Sequence, residues 1–130
     1  MRVTVDTSAV LAVASGEPAK AALVAATQDA DFVAPASLPA EIGNALSAML
    51  RRGRVDERRA LDILRAVERI RVELVPIHLG RAVRLSSDLG IYAYDAYVLD
   101  CATTTGTALV SIDRGQRTAA ERAGVPLHPY

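Results

Sequence analysis

Four acidic residues stand where a short strand-like apolar run gives way to a helix-like run. They are Asp6, Glu41, Asp95 and Asp113. In a chain that alternates strands and helices, such junctions gather along one edge of the sheet. Four carboxylates held together cannot all stay ionised without a cation, so the pattern predicts a site for Mg²⁺, with Mn²⁺ as an alternative. An acidic cluster with a divalent metal, and no nucleophilic cysteine or histidine dyad, indicates metal-assisted hydrolysis of a phosphodiester.

The elements that must position these acids alternate along the chain. Runs of β-branched and aliphatic residues predict strands, and apolar residues at helical spacing predict helices. This alternation is typical of one α/β domain, over residues 1–130, with a parallel sheet covered on both faces. The predicted strands are 1–5, 31–34, 72–75 and 108–112, with a last extended piece at 125–128; the predicted helices are 9–14, 17–27, one capped by Ser37 that ends near Arg52, and then 56–69, 79–89, 95–104 and 114–122.

The composition narrows the class of protein. Among 130 residues, 15 basic and 15 acidic side chains cancel, so no overall field favours nucleic acid, although charge can still separate by face. Cys101 is the single cysteine, which excludes a disulfide framework and a cysteine-based zinc site. The first residues do not resemble a signal peptide, and no apolar run approaches the roughly 20 residues of a membrane span. We therefore expect a cytoplasmic domain with no membrane contact.

Each acid taken alone has a purely structural explanation. Asp6, Asp95 and Asp113 each precede a predicted helix, where aspartate is a preferred N-cap. Glu41 falls in the first turns of the clearest helix, where a negative charge meets the positive end of the helix dipole. Ser, Thr and Asn cap helices as well as Asp does, so chance capping should produce a mixture of residue types. The convergence of four acids at one sheet edge therefore favours a functional site.

Four short motifs contain these acids, and their order and spacing resemble those of a known family. The motifs VDTSAV, PAEIGNAL, YDAYVLDCA and LVSID are similar to the four motifs of PIN-domain ribonucleases, most closely those of VapC-type toxins. The resemblance covers essentially the whole chain. It implies a three-layer α/β/α sandwich with a mainly parallel central sheet of four to five strands.

The resemblance also implies an activity and its partners. The protein would be a Mg²⁺-dependent endoribonuclease, the toxin of a type II toxin–antitoxin pair, that hydrolyses RNA and is neutralised by a VapB-like antitoxin. Asp6 and Asp95 would be direct metal ligands, with Asp113 as a further candidate ligand. Glu41 or Asp113 would orient or deprotonate the attacking water.

Residues beside the acids have secondary roles under the same resemblance. Thr7 and Ser111 correspond to hydroxyl positions that support the site, and Arg114 is placed to contact a phosphate. Asp100 lies five residues after Asp95, about 140° round a helix, so it does not share the ligand face. We interpret Asp100 as a neighbour of the site or a solvated residue.

Other patterns have competing interpretations. The arginine-rich stretch 51–59 can follow an RNA backbone, but a solvated helix end is favoured. Tyr92, Tyr94 and Tyr97 bracket Asp95 and can stack on an unpaired base, but packing of the helix start is favoured. The apolar helix faces at 42–49 and 60–67 fit ordinary core, a homodimer seam or a groove for an antitoxin helix.

Two other functions remain open from the sequence. Another Mg²⁺-dependent α/β phosphohydrolase would usually need a second acid soon after Asp6 or a positioned lysine, whereas Thr7 and Ser8 follow and Lys20 is distant. A catalytically silent PIN-like interaction module would ordinarily lack one of the four acids, and all four are present.

Overall fold

The computed structural model describes residues 1–129. Its strands are β1 (Arg2–Val5), β2 (Asp31–Pro35), β3 (Val72–Val75) and β4 (Ala108–Val110). They form one sheet in the order β3-β2-β1-β4, with every neighbouring pair parallel. Leu127 adds an isolated parallel bridge to Leu109 beyond β4, where the last extended piece was predicted. The predicted parallel sheet of four to five strands is confirmed.

Helices cover both faces of this sheet. One apolar cluster joins α1 through α4 to side chains of β1, β2 and β4 on one face, and a second joins α5, α6 and α7 to Leu109 on the other face. This is the predicted α/β/α sandwich. The helices are α1 (Thr7–Ser15), α2 (Lys20–Ala26), α3 (Leu38–Arg51), α4 (Glu57–Glu68), α5 (Leu79–Leu89), α6 (Ala93–Thr105) and α7 (Arg114–Ala123).

The period-2 alternation of the strands decides which side chains reach each face. Val3, Val5 and Val110 belong to the first cluster, whereas Leu109 belongs to the second. Thr4, between two valines, points to the opposite face, where its hydroxyl lies 3.8 Å from Cys101 Sγ of α6 and 2.7 Å from the hydroxyl of Thr107, just before β4. Because β1 is covered on both faces, its end is fixed, and the residue that follows it is held in place.

Only one bent pair of helices among the described residues has the length and apolar composition of a membrane span. No single helix among residues 1–129 is long and apolar enough to cross a membrane, and α1 and α2 reach the required length only together, across a bend of 116°.

Two predicted helix caps were correct and two were wrong. Asp6 and Asp113 cap α1 and α7, with their carboxylates accepting main-chain N–H groups at 3.0 and 3.1 Å. Asp95 is not a cap, because α6 begins two residues earlier at Ala93 and places Asp95 in its first turn. Ser37 holds the N-cap position of α3 with helical backbone angles, and its side chain makes no capping hydrogen bond.

Asp100 is neither solvated nor free. Its side chain is buried, with the residue 7% exposed, and it accepts two hydrogen bonds from the Arg81 guanidinium, at 2.7 Å from Nε and 3.3 Å from Nη2. The alternative of a solvated Asp100 is therefore wrong. The ion pair raises the pKa of Arg81, chiefly through the hydrogen bond, and joins α5 to α6.

The arginine-rich stretch 51–59 is exposed, as the favoured interpretation predicted. Asp56, within this stretch, caps α4 by accepting the Arg59 main-chain N–H at 2.8 Å. The Arg59 guanidinium donates to the main-chain oxygen of Ser15 at 2.8 Å and so connects α4 to the end of α1.

Candidate active site

The carboxyl ends of the central strands bring the four acids near one another. Asp6 follows β1 directly, and Asp113 follows β4 after a short turn. Glu41 and Asp95 lie in the first turns of α3 and α6. Burial is the main cause of the raised pKa of Asp6, Glu41 and Asp95; the charge of Asp113 adds to the rise at Asp6 and Asp95, and the charges of Asp6 and Asp95 add to it at Glu41. The acids therefore lie near enough for their charges to act on one another.

Asp6 lies at the centre of a set of hydroxyl donors. Its Oδ1 accepts from the Ser8 hydroxyl at 2.6 Å and from the Ala9 main-chain N–H at 3.0 Å. Its Oδ2 accepts from the Ser111 hydroxyl. Ser8 and Ser111 in turn accept main-chain N–H groups of Ile112 and Asp113, each at 3.1 Å. These bonds fix the orientation of the Asp6 carboxylate and connect the end of β1 to the loop after β4.

Burial raises the pKa of Asp6, because a desolvated carboxylate is disfavoured. Hydrogen bonds from Ser111, Ser8 and the Ala9 amide oppose this effect, and the negative charge of Asp113 adds to it. A carboxylate that is buried, oriented and close to another negative charge is stabilised by a bound cation.

The pKa of the Glu41 carboxyl is strongly raised. Burial raises its pKa from 4.5 to about 7, hydrogen bonds from Ser37 and Thr7 oppose the rise, and the charges of Asp6 and Asp95 add to it. The Ser37 hydroxyl donates to Glu41 Oε2 at 3.1 Å. Thr7 Oγ1 is buried and near enough to lower this pKa, yet it has no hydrogen-bond partner of good geometry among the described residues. Glu41 therefore exchanges its proton near neutral pH.

Gln116 connects two of the acids. It is 2% exposed on α7, its main-chain N–H donates to Asp113 Oδ2 at 3.1 Å, and its Nε2 donates to the main-chain oxygen of Asp95 at 3.2 Å. Its Oε1 is buried without a hydrogen-bond partner in the described part of the chain. Burial, followed by the charges of Asp113 and Asp6, raises the pKa of Asp95. Gln116 thus holds the first turn of α6 against the start of α7.

This sequence matches a known family along most of its length. Residues 3–122 match the family model described as the PIN domain. The chain belongs to the PIN domain family. PIN domains are generally nucleases, so the acid cluster is a candidate nuclease centre. No curated protein sequence matches the chain.

Solved structures agree with this PIN domain in fold. PAE2754 from Pyrobaculum aerophilum is 26% identical, with a TM-score of 0.69 over 92% of this chain and 87% of that one. VapBC2 from Rickettsia felis, solved bound to a DNA fragment from its promoter, is 11% identical. Its TM-score is 0.66, over 98% of this chain and 97% of that one. At 11% identity, the second likeness concerns the fold alone.

Three residues that hold the acids of this PIN domain were missed by the sequence analysis. Ser8, which precedes the predicted helix 9–14, and Gln116 had no assigned role, and Ser37 was interpreted as a helix cap. The motif VDTSAV contains a signal for Ser8, because a hydroxyl two residues after a capping aspartate can reach its carboxylate. No sequence signal identifies Gln116, since its partner Asp95 lies 21 residues away.

Of the other predicted site residues, Ser111 supports Asp6 directly and Thr7 lies beside Glu41. Arg114 is exposed as the first residue of α7. Asp100 pairs with Arg81 and is not among the charges that raise the pKa of Asp6, Glu41 or Asp95.

An apolar recess of about 280 Å³ lies apart from the acids, between α1, α2 and the sheet. Aliphatic side chains such as Val10, Leu23 and Val24 line it, and its lining contains no ionisable group. It has no residue that could carry hydrolytic chemistry.

Proposed function

We propose that this PIN domain is a cytoplasmic Mg²⁺-dependent endoribonuclease, the toxin of a type II toxin–antitoxin pair of the VapC kind. The observation that carries the proposal is the burial of acids close to one another: burial raises the pKa of Asp6, Glu41 and Asp95, and the charges of neighbouring aspartates add to each rise. The motif resemblance and the similarity in fold to a structure of VapBC2 support the RNA substrate and the toxin role.

The donor set fits a hard divalent cation. Carboxylate oxygens are the ligands that Mg²⁺ and Mn²⁺ prefer, and a cation would relieve the repulsion that raises these pKa values. Within residues 1–129 no three Asp, Glu, His or Cys side chains form a preassembled metal site. Mg²⁺ usually needs only one or two carboxylates and keeps several waters, so Asp6 and Asp95 suffice, with Asp113 as a further ligand. When bound, the metal polarises a phosphoryl oxygen and lowers the pKa of a water molecule.

The chain's own residues then have separate tasks. Glu41, with a pKa of about 7, accepts a proton from the attacking water at its carboxylate, and Ser37 orients that carboxylate. The unpartnered hydroxyl of Thr7 is available to a water or a phosphate oxygen beside Glu41. Arg114 is free of the core and contacts a neighbouring phosphate.

A groove between α3 and α4 is the proposed site for the antitoxin. Apolar side chains line it from both helices and from β3, among them Ile42, Leu46, Leu64 and Leu74, and Gly43 leaves room for close approach. Leu74 is 45% exposed. An amphipathic helix of a VapB-like antitoxin would cover such a groove.

The nuclease is tested with purified protein and total RNA, with Mg²⁺ or Mn²⁺ and with a chelator. We expect cleavage that the chelator abolishes and that Asp95→Asn reduces roughly 10²–10³-fold, the loss typical of removing one preorganised electrostatic group. In cells, induction should arrest growth, and co-expression of a VapB-like antitoxin should relieve the arrest.

The matched control is Asp88→Asn, which alters an exposed aspartate on α5 and should cleave at the wild-type rate. Equal cleavage by wild type and Asp95→Asn, or intact RNA with both metals, would refute the nuclease and favour a silent interaction module. Cleavage of small phosphate esters but not RNA would favour another phosphohydrolase.

The hydrogen bonds of Gln116 predict that this residue positions Asp95 and Asp113 for catalysis. We expect Gln116→Met to lower kcat about 10-fold or more and to change KM little. Losses of this size are typical when a hydrogen bond that orients a metal ligand is removed. Stability should change by less than about 1 kcal/mol, because the lost hydrogen bond is offset by removal of the unpartnered Oε1. Steady-state kinetics and urea unfolding measure the two effects.

An exposed glutamine provides the comparison for this variant. Gln28→Met changes the same side chain after α2 and should leave both kcat and stability unaltered. A wild-type kcat in Gln116→Met would show that Gln116 only fills space.

A further inference from the structure

Of the three tyrosines around Asp95, Tyr97 packs at the start of α6 as predicted, whereas Tyr92 and Tyr94 are exposed. Tyr92 is 85% exposed at the N-cap position, where its side chain makes no capping bond, and Tyr94 is 46% exposed in the first turn. Tyr97 is partly buried, and its ring meets that of Tyr94 edge to face, with centroids 5.9 Å apart and an angle of 79°. Burying an aromatic ring is strongly favourable, so two rings left in water beside the acid cluster need another explanation.

The distribution of aromatic residues makes this exposure specific. The chain has only five aromatic side chains, four Tyr and one Phe, and three of them lie within residues 92–97. The other large apolar side chains that are exposed among residues 1–129 are all aliphatic, such as Leu79 and Val83 on α5. Aliphatic surface suits a protein partner, whereas the flat faces of tyrosine suit a nucleobase.

The position of the two tyrosines relates them to a phosphodiester in the acid cluster. Tyr94 directly precedes Asp95, about 3.8 Å away between Cα atoms, and Tyr92 stands two residues before Tyr94. The hydrogen bond from Gln116 to Asp95 places the start of α7, with exposed Arg114, against the start of α6. A helix N-terminus and an arginine would attract a phosphate there, and the exposed rings stand on the same helix start.

We infer that Tyr92 and Tyr94 form a stacking site for an unpaired RNA base next to the scissile phosphodiester. Tyr97 holds the Tyr94 ring by its edge-to-face contact, so that one ring is preorganised, while Tyr92 is free to close on the other side of the base. Stacking accepts any base, so the site selects single-stranded RNA over duplex and not one base over another. This inference rests on the proposed ribonuclease function.

The test measures RNA binding separately from cleavage. Binding of a short labelled single-stranded RNA of mixed sequence is followed by fluorescence anisotropy in the cleavage-deficient Asp6→Asn background. We expect Tyr92→Ala and Tyr94→Ala each to raise Kd about 10-fold and Tyr92→Phe to restore binding, because a phenyl ring still stacks. Tyr92 is almost fully exposed, so Tyr92→Ala should keep the wild-type urea midpoint, whereas Tyr94→Ala loses the ring contact with Tyr97 and should lower the midpoint slightly.

A cycle with an altered RNA identifies the contact. In a series of oligonucleotides, one abasic nucleotide is placed at each position in turn. At one position, the missing base should weaken binding about 10-fold when both tyrosines are present. At that position it should weaken binding no further when Tyr94→Ala is added. Val83→Ser, an exposed apolar change on α5, should leave Kd unaltered.

Two outcomes would overturn the inference. One is wild-type RNA affinity in both alanine variants. The other is a change in sedimentation of those variants without a change in Kd, which would assign the tyrosines to contact with a second copy of the chain. If the wild type cleaves RNA and the alanine variants keep its KM, only the stacking site fails. If no RNA is cleaved or bound by any form, the proposed function fails.

Discussion

Asp6→Asn is expected to reduce RNA cleavage roughly 10²–10³-fold without loss of stability at pH 7.5. Asparagine is as good an N-cap as aspartate, so the hydrogen bond from the Ala9 amide and the start of α1 are retained. The anionic oxygen that receives the Ser111 hydroxyl is lost, and with it a ligand for the metal. Since burial raises the pKa of Asp6, a neutral side chain there removes a desolvation cost, and stability should stay equal or rise.

A second capping aspartate provides a closely matched control. Asp56 caps α4 with nearly the same backbone angles, φ −90° and ψ 174° against φ −101° and ψ 174° at Asp6, but it is exposed. Asp56→Asn should keep full cleavage. If Asp6→Asn unfolds the protein, or cleaves as well as Asp56→Asn does, then Asp6 is only a helix cap.

The second large effect is a loss of stability with rising pH that comes from Glu41. Its pKa is about 7 in the folded protein and 4.5 when unperturbed, so the folded state binds the proton more tightly. The resulting stability is complete below pH 4.5 and is lost as the pH rises through about 7. After allowance for solvent screening of a partly exposed group, we expect a loss of about 1–2 kcal/mol. Urea unfolding without divalent metal, from about pH 5 to pH 8, measures it.

Glu41→Gln should remove this part of the pH dependence, because the amide cannot ionise. Burial also raises the pKa of Asp6 and Asp95, so a loss of the same sign should remain in the variant. Glu57→Gln, an exposed acid in the first turn of α4, is the control and should follow the wild type. Parallel pH curves for wild type and Glu41→Gln would mean that Glu41 ionises normally. Mg²⁺ should restore stability at pH 8 in the wild type and less so in Asp6→Asn.

Local patterns in the sequence were enough for the architecture and for the set of acids. The alternation of apolar strands with amphipathic helices is a pattern among residues a few positions apart. It predicted that the strands are parallel and that helices cover both faces of the sheet. Capping depends on hydrogen bonds over three residues, which is why Asp6 and Asp113 were placed correctly. The start of α6 was misplaced because no strong cap precedes it; Tyr92 takes that position without a capping side chain.

Contacts between segments far apart in the chain could not be predicted from local sequence patterns. Ser111 reaches Asp6 across 105 residues, and Arg81 reaches Asp100 across 19. The burial of Asp100 depends on how α5 packs on α6. The angle between Asp95 and Asp100 round the helix could not decide whether Asp100 lies beside the site or in solvent. The exposure of Tyr92 follows in the same way from how α6 meets its neighbours.

The sequence by itself determined the residue types of the site, the α/β/α fold and the strand ends at which the acids must lie. Those features follow from hydrophobic periodicity, turn chemistry and helix capping, all of which act over a few residues. Only the tertiary structure decided which carboxylate is buried and by what it is held, since desolvation and hydrogen bonding depend on segments far apart in the chain. The hydroxyl donors on Asp6, the raised pKa of Glu41, the link from Gln116 to Asp95 and the exposed tyrosines are of this second kind.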